Sequence, residues 1–221
     1  GTKKFIVYFQ SFTNTYAPIA TLKALYEKAL SFENVIGLSI GTRTDCVTDE
    51  ILDYLVDLSK DKEIWIEFGI QSFYDETLVN INRGDTADNM RYWIKRSKEK
   101  GLNVCGHLIY GLPKETQEMM LETFRQTVAL KVDSIKFHPL YVVKNTLLTN
   151  EFKKGRFTPI SEELYIDTVV KSIKNLPENI SIQRITAGIN DSTLLSPDWC
   201  RDKHTQMKNI RIKKKKEGFN Y

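Results

Sequence analysis

"EFGIQSFYDETLVNINRG", running from Glu67 to Gly84, is the stretch that decides the fold. Its first residues continue the run Ile64 to Ile70, whose β-branched and aromatic side chains predict a strand. The run stops abruptly at polar Gln71 and Ser72. A short helix is expected next, with Asp75 as its cap, and the stretch closes on Arg83-Gly84. A strand that ends in polar groups and passes straight into a helix is one unit of a β/α repeat.

The same unit recurs in both directions. Upstream, Lys3 to Phe9 reads as a strand, Pro18 suits the first turn of a helix carrying Leu22, Leu25, Tyr26 and Ala29, and Val35 to Ile40 is the second strand. A helix over Asp49 to Ser59 leads into Ile64 to Ile70. Downstream, a helix over Asn89 to Lys100 stops at Gly101, Val104 to Tyr110 is the fourth strand, and Thr116 to Leu130 is helical. Ser134 to Val143 is the fifth strand, broken by Pro139. Such alternation predicts an α/β fold with a parallel sheet, and near-continuous apolar runs suit strands buried on both faces. A doubly wound sheet and a (β/α) barrel both fit. After Asn145 the rhythm changes to a helix ending near Lys174, a short strand over Ile180 to Ile185 and a basic final helix. Residues 1–144 are therefore expected as the core and 145–221 as an α+β extension.

Composition excludes some classes. The 221 residues are 41% hydrophobic and 27% charged, which suits a globular domain. No apolar run approaches the roughly 20 residues of a membrane span, so no membrane partner is expected and the cytoplasm is the expected compartment. Cys46, Cys105 and Cys200 are odd in number and far apart, which predicts reduced thiols. The net charge of +4 is uneven: between Arg201 and Glu217 eight cations oppose two anions, a net +6, leaving −2 for the rest. That basic tail, 201–217, is a candidate RNA contact through phosphates, with a solvated helix face as the plain alternative. Nothing in the composition indicates an oligomeric state.

In parallel α/β folds ligands gather at the carboxyl ends of the strands. Those ends carry Gln10-Ser11, then Thr42-Arg43, Gln71-Ser72, His107 with Gly111-Leu112-Pro113, and His138 with Tyr141. Each also has a plain structural role open to it. Gln71 can tie down a loop, Arg83 can complement a helix C-terminus, Arg43 and Asp45 can pair within a turn, and His107 or His138 can be a core histidine.

Several ordered motifs together carry a resemblance over nearly the whole chain. "EFGIQS", "INRG" and "GHLIYGLPKET" resemble the middle of a radical S-adenosylmethionine (SAM) enzyme of the group with oxygen-independent coproporphyrinogen oxidase, methylthiotransferases and the Elongator catalytic subunit. "YFQ", "TNTYAP", "GLSIGTRTDC" and "IQRIT" are most similar to a bacterial Fe–S oxidoreductase subfamily of that group. The resemblance implies a partial TIM-type (β/α) barrel of parallel strands, here beginning at its second strand. It implies that Gln71 and Ser72 contact the SAM ribose and that Arg83 meets the methionine carboxylate. It also implies that His107 stands where relatives place an aspartate on the ribose, that Ile109 and Tyr141 flank the adenine, and that Gln10 and Ser11 replace a Gly-Gly-Glu turn for the methionine amine. Thr42 and Arg43 are included among the expected cofactor contacts. The implied cofactors are SAM and a [4Fe–4S] cluster, which together form a 5′-deoxyadenosyl radical. The family's CxxxCxxC cluster motif is absent from the sequence, so the natural protein is expected to carry it upstream of Lys3. The competing reading is a barrel lyase or isomerase acting on a phosphorylated metabolite, with His107 or His138 as base.

Overall fold

Side chains on the central strands alternate in character, and the alternation explains the architecture. Leu38, Ile40, Ile64, Ile66, Phe68, Val104, Leu108, Ile135 and Phe137 are at most 1% exposed and share one core with helix residues such as Leu52, Leu55, Met90, Ile94 and Phe124. Removing each such side chain from water is worth about 1.5–3 kcal/mol, so one face of the central strands is covered by helices. The computed structural model describes residues 3–219. The outermost residues of the two expected regions, 1–2 and 220–221, lie outside the described residues.

The chain runs β1 (Phe5–Phe9), α1 (Ile19–Leu30), β2 (Val35–Thr42), α2 (Asp49–Ser59), β3 (Glu63–Gln71), α3 (Asp75–Asn80), α4 (Ala87–Glu99), β4 (Asn103–Tyr110), α5 (Gln117–Ala129) and β5 (Ser134–Pro139). It continues through β6 (Val142–Val143), α6 (Leu147–Lys153), α7 (Glu162–Lys174), β7 (Ser181–Arg184), β8 (Leu194–Ser196) and α8 (Lys203–Lys216). Six strands in the order β1-β2-β3-β4-β5-β7 form one sheet, and every neighbouring pair is parallel. The sheet curls into a half-barrel with helices on its outer face, which selects the partial barrel over the doubly wound sheet. No helix of the described residues is long and apolar enough to cross a membrane.

Local chemistry differs from expectation at four places. The expected fifth strand stops at Pro139, and Val142–Val143 pairs antiparallel with β8 in a separate small ribbon. Proline has no N–H to continue the parallel ladder. The strand expected near 180–185 is β7, which extends the main sheet beside β5. Asp75 does not cap α3: it is that helix's first residue, and its carboxylate accepts the Ala87 N–H at 2.8 Å, at the start of α4. Finally, the strands are not apolar on both faces. The inner face is polar, and that face carries the candidate site.

A short loop fixes the barrel's first two strands. The Asn14 side-chain amide donates to the carbonyls of Phe9 at 3.0 Å and Gly41 at 2.9 Å, joining the ends of β1 and β2. The Asn14 backbone carbonyl accepts the Tyr26 hydroxyl at 2.5 Å, which attaches the loop to α1.

Candidate functional site

The mouth of the half-barrel is built at the end of β3. Gln71 has a left-handed backbone (φ +68°), an uncommon state for a non-glycine residue. The turn folds its side chain back over Gly69, where an added Cβ would lie 2.7 Å from Gln71 Nε2 and 3.4 Å from Arg83 Nη2. Glycine at 69 is thus what lets the amide and the guanidinium occupy the same small space. Arg83 Nη2 donates to the Gly69 carbonyl at 2.6 Å. Two polar atoms remain buried without a partner, Gln71 Oε1 and Arg83 Nε. A buried polar atom left unpaired costs about 1–3 kcal/mol, so two at one strand end mark a place shaped for a polar ligand. Burial pushes the Arg83 guanidinium below its ordinary value, and neighbouring Arg43 adds to that effect.

Other expected contacts are differently employed. Ser72 is fully buried; its hydroxyl donates to Glu115 and accepts the Tyr74 N–H at 3.1 Å, so it braces the turn. Burial raises the Glu115 carboxyl above its ordinary value. Arg43 pairs bidentately with Asp45, Nε to Oδ1 at 2.8 Å and Nη2 to Oδ2 at 2.5 Å. The Thr42 hydroxyl lies 2.5 Å from that of Thr15, and Thr15 also donates to the Cys46 carbonyl at 2.6 Å. Gln10 and Ser11 are exposed at the β1 end. Ile109 lines a largely apolar cavity of about 870 Å³ together with Leu112, Met120, Leu140 and Ile160. Tyr141 packs on His138, with ring centroids 5.0 Å apart.

Beneath the mouth lies a cluster that was not expected from the sequence. Glu67, 1% exposed, accepts from Ser39, from Tyr8 at 3.0 Å, from Lys136 Nζ at 2.5 Å, and pairs with His107 Nε2 at 2.6 Å. Burial opposes its ionisation, but the bonds from His107, Lys136 and Ser39 outweigh that and hold its carboxyl at about 2. Burial pushes the His107 imidazole below its ordinary value despite Glu67. With Glu67 ionised, the neutral ring donates through Nε2. His107 is therefore held from below by Glu67. The sequence did hold a signal: Ser39, Glu67 and Lys136 each interrupt an apolar run in mid-strand, flanked on both sides by large aliphatic or aromatic residues.

Glu67, Cys105 and His107 offer three donor atoms within 4.8 Å of one another, a set that could hold a metal ion. Lys136, bound to Glu67, puts an ammonium where the cation would have to sit, and burial keeps the Cys105 thiol protonated by pushing it up to about 12. Cys46 follows β2, Cys105 lies in β4 and Cys200 precedes α8, so among the described residues the cysteines do not converge and do not fit an iron–sulfur cluster.

The basic tail is α8. Lys213 is engaged by Asp167 at 3.0 Å and Glu217 at 3.1 Å, and Arg201 donates to the Leu194 carbonyl at 2.7 Å. Lys203, Lys208, Arg211, Lys215 and Lys216 are exposed.

Comparison with known proteins agrees with this geometry. Residues 1–127 match the model of the radical SAM superfamily, and residues 132–216 match that of the radical SAM C-terminal domain. Protein YhcC of Escherichia coli K12 is 39% identical over 207 residues, covering 93% of this chain and 67% of that protein. Uncharacterized protein MJ0486 of Methanocaldococcus jannaschii is 38% identical over 220 residues, covering 99% of this chain and 68% of that protein. The chain thus spans about two thirds of the length of these relatives. The solved structure of archaeal Methanocaldococcus infernus Elp3 superposes with a TM-score of 0.85 over 99% of this chain and 55% of that one, at 21% identity, a likeness of fold.

Proposed function

The chain belongs to the radical SAM superfamily, and on that premise we propose that its barrel mouth binds SAM chiefly through Gln71 and Arg83. The observation that carries the reading is the pair of unpartnered buried atoms, Gln71 Oε1 and Arg83 Nε, gathered over Gly69. A carboxamide oxygen is an acceptor for ribose hydroxyls, and a guanidinium edge suits the methionine carboxylate. Ser72 holds the turn through Glu115, and Ile109 and Tyr141 offer apolar surface for the adenine. Glu67 orients His107 toward the same ribose. Superfamily members use SAM with a [4Fe–4S] cluster, which together supply reductive cleavage of the sulfonium and abstraction of a substrate hydrogen. The residues of this chain fit SAM and do not fit the cluster; their part is to bind and orient.

In the natural full-length protein, Arg83→Ala is expected to weaken SAM binding by about 1.5–3 kcal/mol, since it removes a charged contact. Gln71→Ala should weaken it less. Calorimetry with SAM, alongside circular dichroism to verify folding, checks both. Wild-type SAM affinity in the two variants would remove these residues from the site.

A second reading concerns RNA as the substrate. Five exposed cations on α8, Lys203, Lys208, Arg211, Lys215 and Lys216, favour contact with phosphates. Binding to mixed transfer RNA should fall steeply with added salt and weaken when the last four become glutamine. A variant that binds as tightly as wild type would exclude α8 as the contact.

A further inference from the structure

The strand β7 brings to the inner face a residue that none of the SAM contacts uses. Arg184 stands in register with Lys136 of β5, so the two side chains share that face. From the edge strand of the sheet its charge reaches Tyr8, Cys105, His107, His138 and Tyr141, residues of or beside the polar inner face. It is partly buried, and among the described residues its side chain makes no hydrogen bond or ion pair. The nearest acid of the inner cluster cannot serve it. Glu67 is taken up by Ser39, Tyr8, His107 and Lys136.

Two cations therefore sit side by side, one neutralised by Glu67 and one not. A partly desolvated charge without a counter-charge is unfavourable, and such arginines are kept where something else supplies the anion. The guanidinium fork matches two oxygens of a carboxylate or phosphoryl group, and Lys136 beside it adds to the positive potential. Gly41 and Gly69 also lie on this face, in register with Glu67 and His107, and add no side chain of their own beside the cluster.

We propose that Arg184 anchors an anion site on the inner face of the half-barrel, and that it receives a carboxylate or phosphoryl group of the substrate. The assignment of that anion to a substrate rests on the radical SAM reading. The existence of the site does not.

The test uses natural full-length protein without SAM, titrated calorimetrically with inorganic phosphate and, separately, with acetate. Wild type is expected to bind at least one of them saturably. Arg184→Gln should weaken that binding at least tenfold, and Arg184→Lys, which keeps the charge and loses the fork, should lie between. Because the Arg83 edge can also take up an anion when SAM is absent, the titrations are repeated in Arg83→Ala, where the weakening caused by Arg184→Gln should persist. SAM affinity should be unchanged in Arg184→Gln. A preference for phosphate or acetate distinguishes the two acidic groups. Equal anion affinity in wild type and Arg184→Gln, or no saturable binding of either anion, would overturn the proposal. So would loss of SAM affinity in Arg184→Gln, because the arginine would then belong to the SAM site. Should Arg184→Gln fail to fold by circular dichroism, Arg184→Lys decides: wild-type affinity there removes the fork. Failure of wild type to bind SAM, with phosphate binding intact, would instead sink the radical SAM reading alone.

Discussion

Phe68 and Glu67 are adjacent in the chain and both are almost wholly buried, yet they sit on opposite faces of β3. Phe68 packs under helices among aliphatic neighbours. Glu67 is ringed by Ser39, Tyr8, His107 and Lys136. The outer face is stabilised by area, so each side chain contributes nearly on its own and neighbours of similar volume can replace it. The inner face is stabilised only as a set, because each polar group is tolerable only while its partners are present. One face specifies the barrel and the other uses it.

Substitutions can break this contrast. Glu67→Ala is expected to cost about 3–5 kcal/mol, because it leaves the Lys136 ammonium buried without its partner. Phe68→Ala should cost about as much, through the cavity it leaves. The two differ in what rescues them. Replacing Glu67 and Lys136 together by methionine should recover only part of the first loss, since it removes the unpaired charge but leaves Ser39, Tyr8 and His107 without their acceptor. Urea unfolding of the single and double variants measures this. A double variant no more stable than Glu67→Ala would show that the loss does not come from the unpaired Lys136 charge, and full recovery would show that the face is held by that pair and not as a set.

A smaller effect sharpens the contrast through pH. His138, on the inner face, is pushed down to about 4 by burial, against a bond from its Nδ1 to the Pro139 carbonyl at 2.7 Å. The unfolded chain then takes up this proton at its ordinary value of 6.5, before the folded chain does. Stability should therefore fall as pH drops from 6.5 toward 4, by about 2–3 kcal/mol from this group, with no further loss from it below that. His107 shifts in the same direction and adds to the slope. The urea midpoint followed across this window in His138→Asn should show a visibly flatter profile. A slope identical to wild type would place the titration elsewhere.

The contrast also explains what could be read from the sequence. The β/α alternation and the helix-covered face were legible because apolar periodicity is a local signal, repeated within each element. Thr86 and Thr116 cap α4 and α5 through side-chain oxygens, and Gly101 ends the α4 region with φ +86°, as their residue types require. Gln71 was legible as a strand-end polar group and Arg83 as a residue closing the short helix that follows, although not that both would share the space over Gly69. The cluster on Glu67 was not legible as a cluster. Its members lie up to 128 residues apart, between Tyr8 and Lys136, and only the curl of the sheet brings them together. Arg184 was hidden for a related reason: β7 looked like part of an appendage, and its place in the main sheet is a matter of tertiary pairing.

The left-handed backbone at Gln71 has a consequence for how this sequence would change under selection. That residue combines a backbone state costing about 1–2 kcal/mol outside glycine with an unpaired buried carbonyl oxygen. Glycine at 71 would relieve both. A laboratory screen that rewards only heat resistance of the ligand-free chain should therefore enrich Gln71→Gly early, and a screen run with saturating ligand should reject it. Position 71 would then report, through which residue survives, whether the selecting condition contained the small molecule proposed to bind there.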